Sequence, residues 1–382
     1  MYIKGGLVAL SLVACSGSLL DIDSGAPDGS IESGTKDAAT EVAPPNEAGN
    51  DATSTCHPDP GNFDIPGNGC DDDGDGIVDN VAPCDSALLP DGPAEDMARA
   101  LGICQAATAT KWGLVSATYT NGFASQGAPD AMQHGILPAF GTNVVAREGT
   151  SLGILSTGWA RPFDGCTTPT DPFKPGCVMQ SGTAGVAPPG YPKQPGCQPA
   201  TNVLDVSSLV LQIKVPNNAL GFSYDFAFFS GEFPDFVCST FIDTFVGWLT
   251  STAFSGTGGD LNISFGSSGP ITTSSNFFQA CAPSPATVGC TGGVAGTNAC
   301  ALGAGILQGT GFDDPETACG QNDSGGGSTG WLTSAAPVAP GETITLQLMI
   351  WDTGDANYDS SVLLDDWKWS DAAVTVATKP AP

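Results

Sequence analysis

The fold is decided by the stretch Phe222–Phe228, which reads FSYDFAF and alternates large apolar side chains with smaller or polar ones. Two more stretches alternate in the same way, LVLQIKV at Leu209–Val215 and ITLQLMI at Ile344–Ile350. This period of two residues is typical of β-strands with one buried face, because successive side chains point to opposite sides of the sheet. Turn residues close each stretch. The pattern therefore predicts a mainly β protein, a two-sheet, jelly-roll-like β-sandwich spanning residues 91–372.

One helix is expected before the strands. From Pro93 to about Ala107, the apolar residues Met97, Leu101 and Cys104 recur at helical spacing. The chain also contains 51 glycines and 30 prolines, and only 13% of its residues are charged. This composition favours turns and short strands over long helices joined by salt bridges.

The N-terminus carries an export signal at residues 1–15. Lys4 precedes an apolar run, Leu7–Ala14, which is too short for a permanent membrane span and ends at Cys15. The ending Leu-Val-Ala-Cys resembles the bacterial lipobox, in which the cysteine receives the lipid. Cys15 is therefore the predicted lipid anchor, and an ordinary signal peptide cleaved nearby is the alternative.

The charge balance limits the possible partners. Forty acidic residues face 11 basic ones, which gives a formal net charge of −29. Such a chain repels phosphate backbones, so nucleic acid is excluded as a partner and cations are favoured. Residues 16–55 are acidic and poor in large apolar side chains, so we expect a disordered tether reaching about 35 Å. Residues 373–382 are expected to form a disordered tail.

The cysteines favour a disulfide framework. Setting Cys15 aside leaves an even number in an exported chain. No Cys-x-x-Cys pair occurs, and His57 and His134 are the only histidines, so zinc sites are disfavoured. The most local pairing expected is Cys70 with Cys84, although sequence does not fix connectivity. The disulfide candidates are Cys56, Cys70, Cys84, Cys104, Cys166, Cys177, Cys197, Cys238, Cys281, Cys290, Cys300 and Cys319.

A small module at residues 56–90 contains a candidate calcium loop, which reads DDDGDGIVD at Asp71–Asp79. Its acids, its glycine and one backbone carbonyl fall on the first nine positions of an EF-hand loop. The predicted Ca²⁺ ligands are Asp71, Asp73, Asp75, the carbonyl of Ile77, and Asp79.

Position 12 of this loop is Ala82, so the bidentate glutamate of an EF-hand is missing. The affinity should therefore be modest, with a Kd of about 10⁻⁴–10⁻³ M. Asp72, Asp64 or Asp85 could supply the missing oxygens. A solvated acidic loop without an ion is the alternative.

Two further carboxylate groups are candidates for function. Asp352, Asp355 and Asp359, followed by Asp365 and Asp366, form either a second calcium site or solvated turns. The acids of the phenylalanine-rich block could serve a hydrolase or a carbohydrate-binding module instead, or the block could be plain core. These acids are Glu232, Asp235 and Asp243.

The chain also contains the sequence pattern of a nucleophile elbow. Residues Gly149–Gly153 read GTSLG, which matches the pattern around a catalytic serine. The residues that follow Ser151 favour a strand over the required helix, and His134 is the only candidate base. The context therefore does not indicate catalysis.

Several motifs resemble the choice-of-anchor L domain family of bacterial cell surfaces. The resemblance covers roughly residues 91–372, and it implies a cell-surface domain of unknown biochemical function. Gly231 and Ile242 depart from the family pattern, in which an acidic residue and an asparagine are usual. The motifs are FAFFSGEFPDFV at Phe226–Val237, FIDTF at Phe241–Phe245, VAPGET at Val338–Thr343, LMIWDTGD at Leu348–Asp355 and YDSSVLL at Tyr358–Leu364.

The acidic loop separately resembles the Asp-rich putative metal-binding repeats of myxobacterial outer-membrane proteins, and more distantly thrombospondin type 3 repeats. Together these features predict a lipid-anchored, calcium-stabilised surface binding or matrix protein without catalysis, held on the outer membrane or cell surface of a Gram-negative bacterium. Its expected partners are the membrane, through the N-terminal lipid, and an extracellular protein or glycan. The alternative is a secreted carbohydrate-binding or carbohydrate-active protein, similar to a glycoside hydrolase, that uses the carboxylates near Glu232, Asp235 and Asp243.

Overall fold

A computed structural model describes residues 56–80, 83–125, 127–161, 182–256, 258–281, 284–316 and 323–382 of the chain. It contains one α-helix, α1 (Ala94–Ala100), and short 3-10 helices at Ala131–Gln133 and Gly305–Leu307. No helix within these ranges is long and apolar enough to cross a membrane. The strands are β1 (Gly113–Thr120), β2 (His134–Leu137), β3 (Ala139–Phe140), β4 (Val144–Val145), β5 (Leu152–Ser156), β6 (Leu204–Lys214), β7 (Gly221–Ser230), β8 (Thr244–Thr250), β9 (Phe265–Gly266), β10 (Gly269–Thr272), β11 (Ala280–Cys281), β12 (Ala286–Val288), β13 (Gly296–Asn298), β14 (Asp314–Glu316), β15 (Asp323–Gly325), β16 (Gly327–Pro337), β17 (Thr343–Asp352), β18 (Ser360–Ser370) and β19 (Ala377–Pro380).

Two antiparallel sheets form the body of the protein, as the strand periodicity predicts. The six-stranded sheet has the order β1-β6-β17-β8-β10-β9. The seven-stranded sheet has the order β11-β16-β7-β18-β5-β2, with β19 beside β16. The predicted mainly β fold is confirmed, and the three stretches with a period of two residues form the central strands β6, β7 and β17.

The two sheets pack face to face around one core. Leu211 and Leu346 of the six-stranded sheet lie in the same buried cluster as Phe226 and Leu364 of the seven-stranded sheet. Each such side chain contributes about 1.5–3 kcal/mol when it is fully removed from water. Most of the apolar residues that the alternation predicts to be buried lie in this shared core.

The expectation of one buried face per strand is wrong for β7. Ala227 and Phe229 point away from the main core and are buried in a second cluster with Phe140 and Leu363. The segments around β3 and the 3-10 helix Gly305–Leu307 supply this cover, since Phe140 and Leu307 belong to the same cluster. Loops packed on the outer face therefore bury both sides of the strand.

The helix is shorter than expected. It ends at Ala100 because Gly102 takes a left-handed φ of +94° and turns the chain away. The N–H of Ile103 donates to the carbonyl of Ala98, which closes the helix end. Met97 and Leu101 are fully buried, as their spacing predicts.

The disulfides confirm the oxidised framework and correct the local pairing. Cys70 is bonded to Cys56, and not to Cys84 as expected. The N–H of Asp59 donates to the carbonyl of Asp72 at 2.9 Å, which brings the chain segments on either side of the turn together. The remaining described bonds are Cys84–Cys104, Cys197–Cys238 and Cys281–Cys300, and Cys290 is also disulfide-bonded. Cys15, Cys166, Cys177 and Cys319 lie outside the described residues.

Both ends of the described chain pack on the sandwich, within a compact unit that spans Thr55–Pro382. Phe63 of the acidic module joins the main core, and its backbone N–H and carbonyl bond to the side chain of Asn218 at 3.0 and 2.8 Å. In the segment expected to be a disordered tail, Ala377–Pro380 instead forms β19 and pairs with β16. The exposed β16 edge provides this strand with backbone partners that periodicity cannot reveal.

Candidate metal centres and binding face

The acidic loop at residues 71–79 folds into a tight turn around Asp71. Its carboxylate accepts the backbone N–H groups of Asp75 and Gly76 at 3.1 and 3.0 Å. Gly76 has a φ of +95°, a conformation that favours a residue without a Cβ. The glycine at position six therefore has the role that the spacing predicts.

Three carboxylates converge at this turn. One oxygen from each of Asp64, Asp71 and Asp73 lies within 4.8 Å of the others. Asp64 is buried, and its carboxylate accepts the backbone N–H groups of Asp72 and Asp73 at 2.8 and 3.2 Å. Burial raises the pKa of Asp73, the N–H of Asp75 opposes this, and the neighbouring carboxylates raise the pKa further.

The other predicted ligands have different contacts. Asp75 accepts the N–H of Ile77 and the side-chain amide of Asn80, both at 2.8 Å. Asp79 accepts the backbone N–H groups of Asn68 and Gly69. The structure thus brings together two of the predicted carboxylates, Asp71 and Asp73, with Asp64 as the third.

The remaining acids near the loop serve as acceptors elsewhere. Asp72 accepts the N–H of Ile65 and the side chain of Asn68. Asp85 accepts the N–H groups of Thr150 and Ser151 at 2.5 and 2.6 Å. Of the three acids considered for the missing oxygens, Asp64 is therefore the one beside the loop carboxylates.

The second acidic cluster is composed differently from the expectation. Asp352 groups with Glu232 and Asp243, and one oxygen of each lies within 4.8 Å of the others. Asp355 and Asp359 fall outside this group; the carboxylate of Asp355 accepts the N–H of Asn357 at 3.1 Å. No sequence period links Glu232, Asp243 and Asp352, because more than one hundred residues separate Asp243 from Asp352.

The three grouped carboxylates are almost completely buried, with side chains of Glu232, Asp243 and Asp352 exposed by 2%, 0% and 1%. Burial raises the pKa of Asp243 to about 7. Burial, and then the neighbouring carboxylates, raise the pKa values of Glu232 and Asp352 well above their usual range. We call this group the buried carboxylate triad.

Asp235 and the possible elbow serine lie apart from the triad. Asp235 is buried, and its Oδ1 lies 3.5 Å from the Sγ of Cys290. Ser151 is buried and donates its hydroxyl to the backbone carbonyl of Asp85 at 3.1 Å. The strand β5 follows it directly, as the sequence indicates, so the strand-to-helix turn of a nucleophile elbow is not formed.

The outer face of the six-stranded sheet carries a groove of about 350 Å³. Four polar residues lie directly opposite one another across its strands, in the order Ser116, Gln212, Thr345 and Thr250. The whole lining is uncharged: Ser116, Thr118, Thr120, Phe123, Ala124, Ser125, Val210, Gln212, Trp248, Thr250, Thr345 and Gln347. We call this surface the polar groove.

The tryptophans near these sites are packing residues rather than exposed platforms. Trp248 is only 6% exposed and packs edge-on against Phe123 and Tyr191. Trp351 is fully buried, and Trp367 stacks on Phe222 with ring centroids 4.3 Å apart.

Comparison with known proteins gives one match. The profile of the choice-of-anchor L domain matches residues 154–368, which is more than half of the chain. This range includes the triad and most of both sheets. No curated protein and no solved structure matches the chain significantly.

Proposed function

This chain belongs to the choice-of-anchor L domain family, and from that premise we propose that it is a lipid-anchored, calcium-stabilised binding protein without catalytic activity. The family is one of cell-surface proteins. The lipid anchor, the calcium and the ligand are our proposal. Its proposed location is the outer membrane or cell surface of a Gram-negative bacterium, with Cys15 as the lipid attachment site.

The polar groove is the single observation that carries the binding role. Hydroxyl and amide groups from β1, β6, β17 and β8 form one continuous row on a rigid sheet, with Ser116, Gln212 and Thr250 exposed. Donors and acceptors of this kind match a neutral, hydroxyl-rich ligand. In a chain with a net charge of −29, an uncharged groove favours neutral glycans over acidic ones.

Calcium stabilisation is supported by the convergence of Asp64, Asp71 and Asp73. Three carboxylate oxygens at this spacing repel one another unless a cation lies between them. Oxygen ligands suit Ca²⁺, whereas Zn²⁺ favours nitrogen and sulfur. Because Phe63 of the same module packs into the main core, an ion bound here would stabilise the attachment of the module to the sandwich.

The burial of the acids in the phenylalanine-rich block supports a role without catalysis. A glycosidase needs two carboxylates that reach a sugar bound in a cleft. Glu232, Asp235 and Asp243 are at most 2% exposed, so a polysaccharide has no contact surface on them. The hydrolase alternative therefore lacks a supporting observation in the described residues.

The test is binding of the full chain, in CaCl₂, to an array of neutral and acidic glycans. We expect binding to a subset of neutral glycans. Thr345→Arg, in the middle of the polar groove, should reduce that binding about tenfold or more. An unsatisfied polar or charged group in the interface costs about 1–3 kcal/mol, and about 1.4 kcal/mol corresponds to a tenfold change in Kd.

The matched control is Thr297→Arg, which places the same side chain on the exposed strand β13 outside the groove. It should leave binding unchanged. Absence of binding to any glycan, or equal binding by the two variants, would contradict the proposed role of the groove.

A further inference from the structure

Four strand ends meet around the buried carboxylate triad. Glu232 follows the end of β7, Asp243 directly precedes β8, and Asp352 is the last residue of β17. Ser360, beside Asp243, is the first residue of β18. Because β8 and β17 belong to one sheet and β7 and β18 to the other, the triad lies where the two sheets adjoin at one end of the sandwich.

The triad lacks neutralising partners. No salt bridge among the described residues reaches Glu232, Asp243 or Asp352. Glu232 Oε2 accepts the N–H of Asp243 at 2.9 Å and the hydroxyl of Thr273 at 3.1 Å. Both donors bond the same oxygen, so they compensate one of the six carboxylate oxygens of the triad.

Buried atoms without a hydrogen-bond partner are concentrated in the triad. Both carboxylate oxygens of the fully buried Asp243 lack a hydrogen-bond partner, and so does Oδ1 of Asp352. Buried polar groups are normally hydrogen-bonded, and each one left unpaired costs about 1–3 kcal/mol, more for charged groups. Several unpaired carboxylate oxygens in one buried group indicate a binding site for a cation.

We propose that Glu232, Asp243 and Asp352 bind one Ca²⁺ ion that joins the two sheets at this end of the sandwich. The site is separate from the acidic loop and goes beyond the proposed function. Oxygens within 4.8 Å of one another fit a common Ca²⁺, whose ligands lie at about 2.3–2.6 Å from the ion. Mg²⁺ usually keeps several waters, which side chains at most 2% exposed disfavour.

Calorimetry of the full chain tests the site. The parent protein carries Asp71→Asn and Asp73→Asn, which disable the acidic loop, so the result does not depend on the proposed loop site. After removal of divalent ions with EDTA, titration with CaCl₂ should show one tightly bound ion per chain. Asp243→Asn in this parent should abolish that binding.

The matched control is Asp365→Asn, which changes another fully buried aspartate whose oxygens accept the N–H groups of Arg147 and Asp366, both at 2.7 Å. It should retain the bound ion. A parent that binds no Ca²⁺, or an Asp243→Asn variant that binds as the parent does, would overturn the proposal. Melting curves in EDTA establish that each variant is folded.

A second measurement is independent of the carboxylate variants. Trp351 is fully buried and directly precedes Asp352, so it should transfer excitation energy to Tb³⁺ bound in place of Ca²⁺. We expect tryptophan-sensitised Tb³⁺ emission in the parent that Ca²⁺ displaces. Trp351→Phe should reduce this emission several-fold while the Ca²⁺ stoichiometry stays the same. Emission that Trp351→Phe leaves unchanged would place the ion elsewhere and overturn the site.

Discussion

The negative charge of Asp73 is disfavoured by its surroundings. A Ca²⁺ ion bound beside it would offset this effect. Burial and three neighbouring carboxylates raise its pKa, although the N–H of Asp75 opposes them. Asp73→Asn should therefore melt at the same or a higher temperature than the wild type in EDTA. In CaCl₂ it should melt at a lower temperature, because the ion loses a ligand. Differential scanning calorimetry in EDTA and in CaCl₂ measures the difference in melting temperature between the variant and the wild type under each condition.

Asp79→Ala is the control for this prediction. The carboxylate of Asp79 accepts the backbone N–H groups of Asn68 and Gly69 and lies outside the converging group. Its loss should lower the melting temperature by similar amounts in EDTA and in CaCl₂. If Asp73→Asn behaved like Asp79→Ala, Asp73 would have a structural role and no role in binding the ion.

Asp365 gives a prediction about pH. Burial raises its pKa from the ordinary value of 3.8 to about 7, although the N–H groups of Arg147, Asp366 and Glu148 oppose the shift. Between these values the folded chain binds more protons than the unfolded chain. The contribution of Asp365 to stability is therefore present at about pH 4 and is lost as the pH rises to about 7.

Urea unfolding of the wild type and of Asp365→Asn across this pH range measures the effect. The free energy of unfolding of the wild type, relative to the variant, should fall with rising pH by up to about 4 kcal/mol, at about 1.4 kcal/mol per pKa unit. A difference that does not change with pH would show that the pKa of Asp365 is near its ordinary value.

At the residue scale, sequence reasoning grouped carboxylates that are close in the chain and did not group those that are distant. Asp71 and Asp73 follow from the spacing of a loop motif. Glu232 and Asp243 were noted as possible hydrolase acids, and Asp352 as part of another cluster. Their grouping depends on which strands become neighbours, and no local pattern encodes that.

At the element scale, the strands with strong alternation were predicted and the weaker elements were not. β6, β7 and β17 correspond to the three stretches with a period of two residues. The range 266–330 contains short strands such as β10 and β12, for which the sequence shows no alternation. Strands of three or four residues are too short to show a period, so only their partners reveal them.

The C-terminal strand gives a prediction at this scale. β19 pairs with Leu332–Ala335 of β16, and the hydroxyl of Thr378 bonds to the N–H of Phe265 and to Ser334. Deletion of residues 377–382 should lower the melting temperature and promote aggregation, because it exposes an unpaired strand edge. Light scattering during a thermal ramp measures both effects.

The point variant Lys379→Ala is the control, since it changes an exposed side chain and keeps the strand. It should behave as the wild type. A deletion variant as stable and soluble as the full chain would mean that β19 adds nothing to the sheet.

At the scale of the whole molecule, the sandwich could be predicted but the packing of its ends could not. The expected small module at residues 56–90 packs into the main core through Phe63 and is bonded to Asn218. One apolar residue in an acidic segment is too weak a signal to predict such a contact. Experiments on calcium binding should therefore use the full chain and not the isolated module.

The proposed lipid anchor is tested in cells. Export and attachment at Cys15 predict that an alkyne fatty acid labels the wild-type protein and that Cys15→Ser is not labelled. The variant should also appear in the soluble fraction, because nothing then holds it to the membrane. Equal labelling of both proteins would refute the anchor.

The central claim is that Ca²⁺ stabilises this surface protein. With a Kd of about 10⁻⁴–10⁻³ M, 10 mM CaCl₂ should add about 1.4–2.7 kcal/mol at one site to the free energy of unfolding. The measurement is the melting temperature of the EDTA-treated full chain against CaCl₂ concentration, with NaCl at equal ionic strength as the control. We expect the melting temperature to rise with CaCl₂ and not with NaCl. Identical melting curves in EDTA and in 10 mM CaCl₂ would contradict stabilisation by Ca²⁺.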